Sequence, residues 1–306
     1  MNRPCLSVAL TLTMLLPAAA QLSVEVRMEQ DQFLSGEQVV VAVKITNRSG
    51  QTIHLGEDED WLSFSVDSID GKLLPRFADP AVVGPFELET SKMATKRINL
   101  SPCFPLTTPG RYNVTAIVKV KEWGIERSSR PKPFNIVQGS SLWEQEFGVP
   151  KKTGETNTVP DIRRYSLHQA NYLKGQLRLY FRLADSSSGK VFRVVPIGPM
   201  LSFSRPEAQV DHESNLHVLY LNGPHAFSYT VFNPDGELIL RQTHDFTDTR
   251  PTLRIGIDSR IFVSGGERRV TASDIPPPPK EVLEPEGGET NTVPIPIPAE
   301  VKTPKN

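Results

Sequence analysis

Six histidines, His54, His168, His212, His217, His225 and His244, are the side chains best suited to acid–base or metal chemistry in this chain. Two clusters put imidazoles beside carboxylates: Asp211-His212-Glu213 with His217, and His244-Asp245. Zinc hydrolases hold their ligands at fixed spacing, as in H-E-x-x-H on a helix, and no such spacing occurs here. These histidines are therefore expected in loops and on strand surfaces. The run Glu57-Asp58-Glu59-Asp60 carries two readings: clustered carboxylates for Ca²⁺, or a solvated loop that blunts a sheet edge. No serine lies in a G-x-S-x-G elbow, no GxxxxGK[ST] loop exists, and Gly265-Gly266 is too isolated to cradle phosphate. Cys103, set between Pro102 and Phe104-Pro105, is expected to be a small buried apolar residue. Asn47, Asn99 and Asn113 each open an N-x-[ST] sequon, which matters only where the host glycosylates. The expectation is no catalytic residue, no metal site and no cofactor.

The elements that carry these residues read as strands. Val39, Val41, Val43 and Ile45 alternate with Val40, Ala42, Lys44 and Thr46, the period of a strand with one face on a core. Asn47-Arg48-Ser49-Gly50 stops that run with residues that tolerate positive φ. Leu62, Phe64 and Val66 alternate next, and Asp70-Gly71 is a hairpin signal into Lys72-Leu73-Leu74. Upstream, Leu22, Val24, Val26 and Met28 open the region, and Phe33 to Glu37 reads as a turn. Downstream, Tyr112, Val114, Ala116, Val118 and Val120 point one way and Arg111, Asn113, Thr115, Lys119 and Lys121 the other. Phe134 to Val137 closes the region. About seven or eight short strands between Leu22 and Gln138 fit a two-sheet sandwich. Val41, Val43, Ile45, Phe64, Tyr112, Val114 and Val118 are expected to share its buried layer.

At 306 residues the chain suits two domains. Lys+Arg 34 against Asp+Glu 35 gives net charge −1, so no broad basic field for nucleic acid is present. Residues 1–20 read as a signal peptide: Arg3, an apolar run Leu6 to Leu16, and Ala18-Ala19-Ala20 before Gln21. The run is too short for a membrane span, so no transmembrane anchor is expected after cleavage. Loss of that segment removes Cys5 and leaves Cys103 alone, so no intrachain disulfide is expected.

The phrases F-x-x-G-E-x-V-x-V-x-V-x-I-T-N-R-S-G (from Phe33), W-L-S-F-S-V-D-S-I-D-G (from Trp61) and P-G-R-Y-N-V-T-A (from Pro109) carry a resemblance. They resemble bacterial Ig-like β-sandwich modules, with the BsuPI-like proteinase-inhibitor domain the nearest named type. The likeness covers about Leu22 to Gln138 and implies a sandwich; inhibition does not follow from a fold. Antibody-type domains differ in their Cys…Trp…Cys set, which is missing here.

Residues 139–160 read as a linker, rich in Gly, Ser and Pro. Within it Gly154-Glu155-Thr156-Asn157-Thr158-Val159-Pro160 recurs as Gly288-Glu289-Thr290-Asn291-Thr292-Val293-Pro294. Residues 161–273 carry a repeat: Arg205-Pro206 begins a unit that returns 45 residues later at Arg250-Pro251, and another step back lands on Pro160-Asp161. Leu177 to Tyr180 with Gly189 to Phe192 parallels Leu216 to Tyr220 with Gly236 to Ile239. This period resembles the blade repeats of β-propellers, although two units and part of a third cannot close a ring. The sheets must stack openly, or their edges must pair with another chain. Residues 274–306, with Pro276 to Pro279 and no aromatic side chain, are expected to be a solvated, Pro-rich disordered tail.

The expectation is an all-β, exported, non-catalytic binding or scaffold protein, secreted or held in the periplasm or cell envelope. It engages a protein partner, and not nucleic acid, through its β-domains. The alternatives are an accessory domain of an exported hydrolase and a proteinase-inhibitor-like module.

Overall fold

The computed structural model describes residues 22–80, 82, 84–149, 161–172 and 175–277. The segment expected to be a signal peptide (residues 1–20), both heptapeptide copies and the tail from residue 278 lie outside the described residues. The fold is all-β. The first ten strands are β1 (Leu22–Arg27), β2 (Gln32–Leu34), β3 (Val40–Asn47), β4 (Ile53–Leu55), β5 (Leu62–Ser68), β6 (Phe86–Leu88), β7 (Met93–Asn99), β8 (Gly110–Val120), β9 (Ile125–Ser128) and β10 (Lys132–Val137). The rest are β11 (Ser140–Gly148), β12 (Ile162–Tyr172), β13 (Gln176–Asp185), β14 (Val191–Met200), β15 (Glu207–Val210), β16 (Leu216–Leu221), β17 (Ala226–Phe232), β18 (Leu238–Asp245), β19 (Thr252–Ile255), β20 (Ile261–Ser264) and β21 (Glu267–Arg269).

The first ten strands form a sandwich. One sheet runs β1-β3-β7; the other runs β2-β10-β8-β5, with β9 also on β8; β4 and β6 make a small ribbon. All pairs are antiparallel except β2 with β10. Alternation decides which face is inside. Val41, Val43, Ile45, Phe64, Tyr112, Val114 and Val118 are all buried in one cluster, as their period demands. The Tyr112 hydroxyl donates to the Thr108 carbonyl at 2.8 Å, pinning the turn that opens β8, the geometry of a tyrosine corner. The Asp70-Gly71 turn forms, yet Lys72 to Leu74 returns only as a single bridge from Leu73 to Asp67. Phe33-Leu34, expected in a turn, belongs to the fully buried β2.

The second half is a stack of meander sheets. Strands β11-β12-β13-β14 form the first, β15-β16-β17-β18-β21 the second, and β19-β20 a two-stranded third. Residues 140–148, expected in the linker, are therefore strand, and β11 pairs antiparallel with β12. A β-bulge between Ser141 and Trp143 breaks the alternation there, which disguises the strand as irregular. Its anchor is Phe147, stacked on Tyr165 at 3.9 Å between centroids; Tyr165 leans on Phe181, and Phe181 stacks on Phe232 at 4.1 Å. This aromatic ladder joins the first two sheets. Tyr165 also puts its hydroxyl 3.0 Å from the Ser214 carbonyl and 2.9 Å from that of Asn233.

The 45-residue period holds for one step: β15–β16 recurs as β19–β20, with Glu207 matching Thr252 and Leu216 matching Ile261. The step back to Pro160 falls beside β12, the second strand of its sheet, and Leu177 to Tyr180 lies in β13 while Leu216 to Tyr220 lies in β16. Neighbouring strands of a meander carry the same alternation, so a sequence match slips by one strand without penalty. The turns at Gly189 and Gly236 do correspond, both at positive φ before the last strand of their meander.

Candidate functional site

A cleft of about 660 Å³ opens where the sandwich meets the first meander sheet. Its floor is the outer face of β3 at Val40 and Ala42, with Phe33 beside them; its wall is β14 from Arg193 to Pro196. Among the described residues β14 is one of the two edge strands of its sheet. Arg27, Glu29 and Arg97 form the opposite rim.

Short local contacts hold the two halves together. Only Gln138 and Gly139 separate β10 from β11. A Cβ on Gly139 would fall 2.8 Å from a Leu34 methyl and 3.0 Å from the Gln169 carbonyl, so glycine is required for this approach. Leu34 packs with Ala170, Tyr180 and Val194 in a small cluster that Val137 and Val191 complete. Gln32 donates its side-chain amide to the Asn171 carbonyl.

Polar groups at the bottom of the cleft form one network. The buried Glu37 carboxylate accepts from the Leu34 amide at 2.7 Å and from the Gln30 amide group at 2.5 Å. Gln30 in turn accepts from Arg178 at 2.9 Å, and that guanidinium lies 3.6 Å over the Tyr172 ring. Burial pushes the Glu37 carboxyl above the usual range, against the pull of its two hydrogen bonds and the Arg178 charge. On the rim, Arg97 pairs with Glu29 at 3.3 Å and Arg27 with Glu25 at 3.0 Å, all four side chains exposed. Such pairs are weak and readily exchanged for a partner's carboxylate.

None of these cleft residues stood out as chemical in the sequence. One signal was available. Val40 and Ala42 are apolar on the outward face of β3, where Lys44 and Thr46 further along are polar.

The sequence-selected residues lie elsewhere. Asp211 and His217 do meet: the Asp211 carboxylate is 3.0 Å from His217 Nε2, and His217 Nδ1 is 2.6 Å from the Tyr229 hydroxyl. Burial works to raise the Asp211 carboxyl, yet hydrogen bonds from His217 and Asn215 hold it below the usual value. Burial pushes the Tyr229 phenol up to about 12, so it stays protonated at neutral pH. With His217 and Tyr229 both under a tenth exposed, the chain of three ties the second sheet together internally. His212 points outward, 3.9 Å from Glu213. His244 does not pair with Asp245, and burial lowers its pKa. His168 shares a 2.9 Å contact with the Ser166 hydroxyl, and burial lowers its pKa also. His54 sits 2.6 Å from Glu122, which raises its pKa.

The acidic run is matched by lysines at and just beyond the end of β8, Asp58 with Lys121 at 2.8 Å and Asp60 with Lys119 at 2.5 Å. Among the described residues no group of three or more His, Cys, Asp or Glu is placed to hold a metal. Cys103 is buried, and burial pushes its thiol up, away from the reactive thiolate. Asn47 is fully buried and donates to the Gln51 and Leu88 carbonyls at 2.7 and 2.8 Å, so this sequon is a turn residue and not a glycan acceptor.

No protein-family model matches the chain. No curated protein matches it either. Among solved structures the chain is similar to the sporulation control protein Spo0M from Bacillus subtilis, at 12% identity and a TM-score of 0.27 over 71% of this chain and 79% of that one. Likeness at that level carries no argument about fold or function.

Proposed function

We propose that this is an exported, non-catalytic binding protein of the cell envelope, and that the cleft between its sandwich and its first meander sheet seats a segment of a partner protein. The observation that carries this reading is the composition of the cleft: an apolar floor of Phe33, Val40 and Ala42 under exposed arginines at positions 27 and 97. The occupant it suits is a short extended segment with an apolar side chain for the floor and a carboxylate for the rim. Export rests on the sequence at residues 1–20.

A photo-crosslinking residue at position 42 tests this in the native host. The expected result is one defined protein adduct, lost when Arg97→Glu reverses the rim charge and kept when Arg111→Glu changes the sandwich elsewhere. Equal yield from a crosslinker at position 113, in β8 of the other sheet, would overturn the reading.

A further inference from the structure

One cross-strand row of the cleft floor sets two arginines about a small residue. In the β1-β3-β7 sheet Arg27 stands directly opposite Ala42, and Ala42 stands directly opposite Arg97. Val26 and Ile98, the chain neighbours of the two arginines, are buried with Val41 and Val43, which puts both arginines on the outer face. Two strand spacings separate the arginine backbones, about 10 Å, and the alanine between them sends nothing beyond a methyl group into the gap. All three residues line the cleft, with Val40 beside Ala42.

Such a gap suits one carboxylate. A guanidinium offers its N–H donors as a planar fork, and a carboxylate has two oxygens to divide between two forks. The acids that now hold these arginines are easily exchanged. Glu25 accepts from Nε and Nη2 of Arg27, each at 3.0 Å, and Glu29 lies 3.3 Å from Arg97, with all four side chains more than half exposed. Exposed pairs of this kind contribute little. Glu25 also has a second partner at hand, because Lys44 stands opposite it in the next row of the same sheet. A carboxylate arriving at Arg27 therefore displaces Glu25 onto Lys44, and neither charge is left alone.

The floor sets the spacing of the ligand. Val40, which is 40% exposed, and Ala42 lie two residues apart on one face of β3, about 6.5–7 Å. An extended segment laid along β3 presents its own alternate side chains at the same interval. One of them rests on Val40, and the next reaches the two arginines over Ala42.

On the reading of the cleft as the seat of a partner segment, we infer that Arg27 and Arg97 form one clamp for a single Asp or Glu side chain, placed two residues from an aliphatic side chain in that segment. Ala42 determines the specificity of the clamp, since a larger residue fills the gap. Glu25 turns from Arg27 to Lys44 as the carboxylate enters.

Selection of displayed random heptapeptides on the full chain tests the clamp. The enriched sequences should carry Asp or Glu two residues from Val, Ile or Leu. Synthetic, C-terminally amidated copies should bind at least about tenfold more weakly to Arg27→Gln and to Arg97→Gln. The double variant should lose less than the product of the two single losses, because both arginines act on one carboxylate. Ala42→Leu should abolish binding and leave the thermal midpoint in place, and Arg111→Gln should change neither. Sequences lost with Ala42→Leu but without an acidic preference overturn the clamp and leave the cleft as a binding site. Sequences that bind Ala42→Leu unchanged, or a selection that enriches none, overturn both. Binding that requires a free C-terminal carboxylate overturns the clamp as well, since the ligand is then a chain end and not a side chain.

Discussion

Arg178, on the first meander sheet, donates across the domain junction to the side-chain carbonyl of Gln30 in the sandwich, at 2.9 Å. The same guanidinium stacks on Tyr172 and faces Glu37, so one side chain links the two halves at the base of the cleft. Arg178→Ala should cost about 1.5–3 kcal/mol, the range for a hydrogen bond to a charged group. It should also separate one unfolding transition into two. Calorimetry that shows a single unshifted transition would count against a mechanical role for this contact.

Glu37 gives the junction a pH dependence of definite sign. Its carboxyl titrates above the ordinary glutamate range, so over that interval the folded state holds a proton that the unfolded chain has released. Stability therefore falls as pH rises from about 4.3 through the folded pKa. Glu37→Gln keeps an acceptor for the Leu34 amide and removes the titration. Urea midpoints for the variant should lose this decline and exceed those of the native protein near neutrality.

Phe64 and Lys119 test the faces of the sandwich. Phe64 is buried in the core cluster, while Lys119 lies in β8 with its ammonium on exposed Asp60 and Glu126. Phe64→Ala should lower stability by about 3–5 kcal/mol. Lys119→Ala should leave the thermal midpoint nearly unchanged, and the reverse order would invert the assigned faces.

Gly198 marks a close approach of the first two meander sheets. A Cβ there would fall 2.6 Å from the Tyr220 hydroxyl oxygen, but 3.7 Å from the ring carbon that bears it. Gly198→Ala should therefore cost about 1–3 kcal/mol by overpacking. Tyr220→Phe removes the offending oxygen, so the double variant should be more stable than the sum of the two single losses allows. A double-mutant cycle with zero coupling would show that the sheets simply part at this point.

The sandwich was legible because its strands bury one face: β3 and β8 show the alternation directly. β16 gave a different signal, since all six of its residues are buried and no polar face marks its phase. β11 was missed because its bulge shifts the phase and its start, Gly139-Ser140-Ser141, has linker composition. Asp211 and His217 were legible as neighbours; Tyr229, which completes their contact, comes from the adjacent strand and has no local signature. The cleft was not legible because it belongs to neither domain alone. Arg27, Glu37, Val40 and Arg193 meet only when the two halves dock, and each looks ordinary within its own strand.

The complete burial of β16 sets an order of assembly. One set of its side chains, Leu216, Val218 and Tyr220, needs the first meander sheet; the other, Leu219 and Leu221, needs the β19–β20 hairpin. Every pairing in these sheets except β18–β21 joins chain neighbours, so a nascent chain can complete each layer in turn. Each finished layer then serves as the template on which the next condenses. A ribosome that releases this chain from its N-terminus delivers the layers in the sequence in which they are needed.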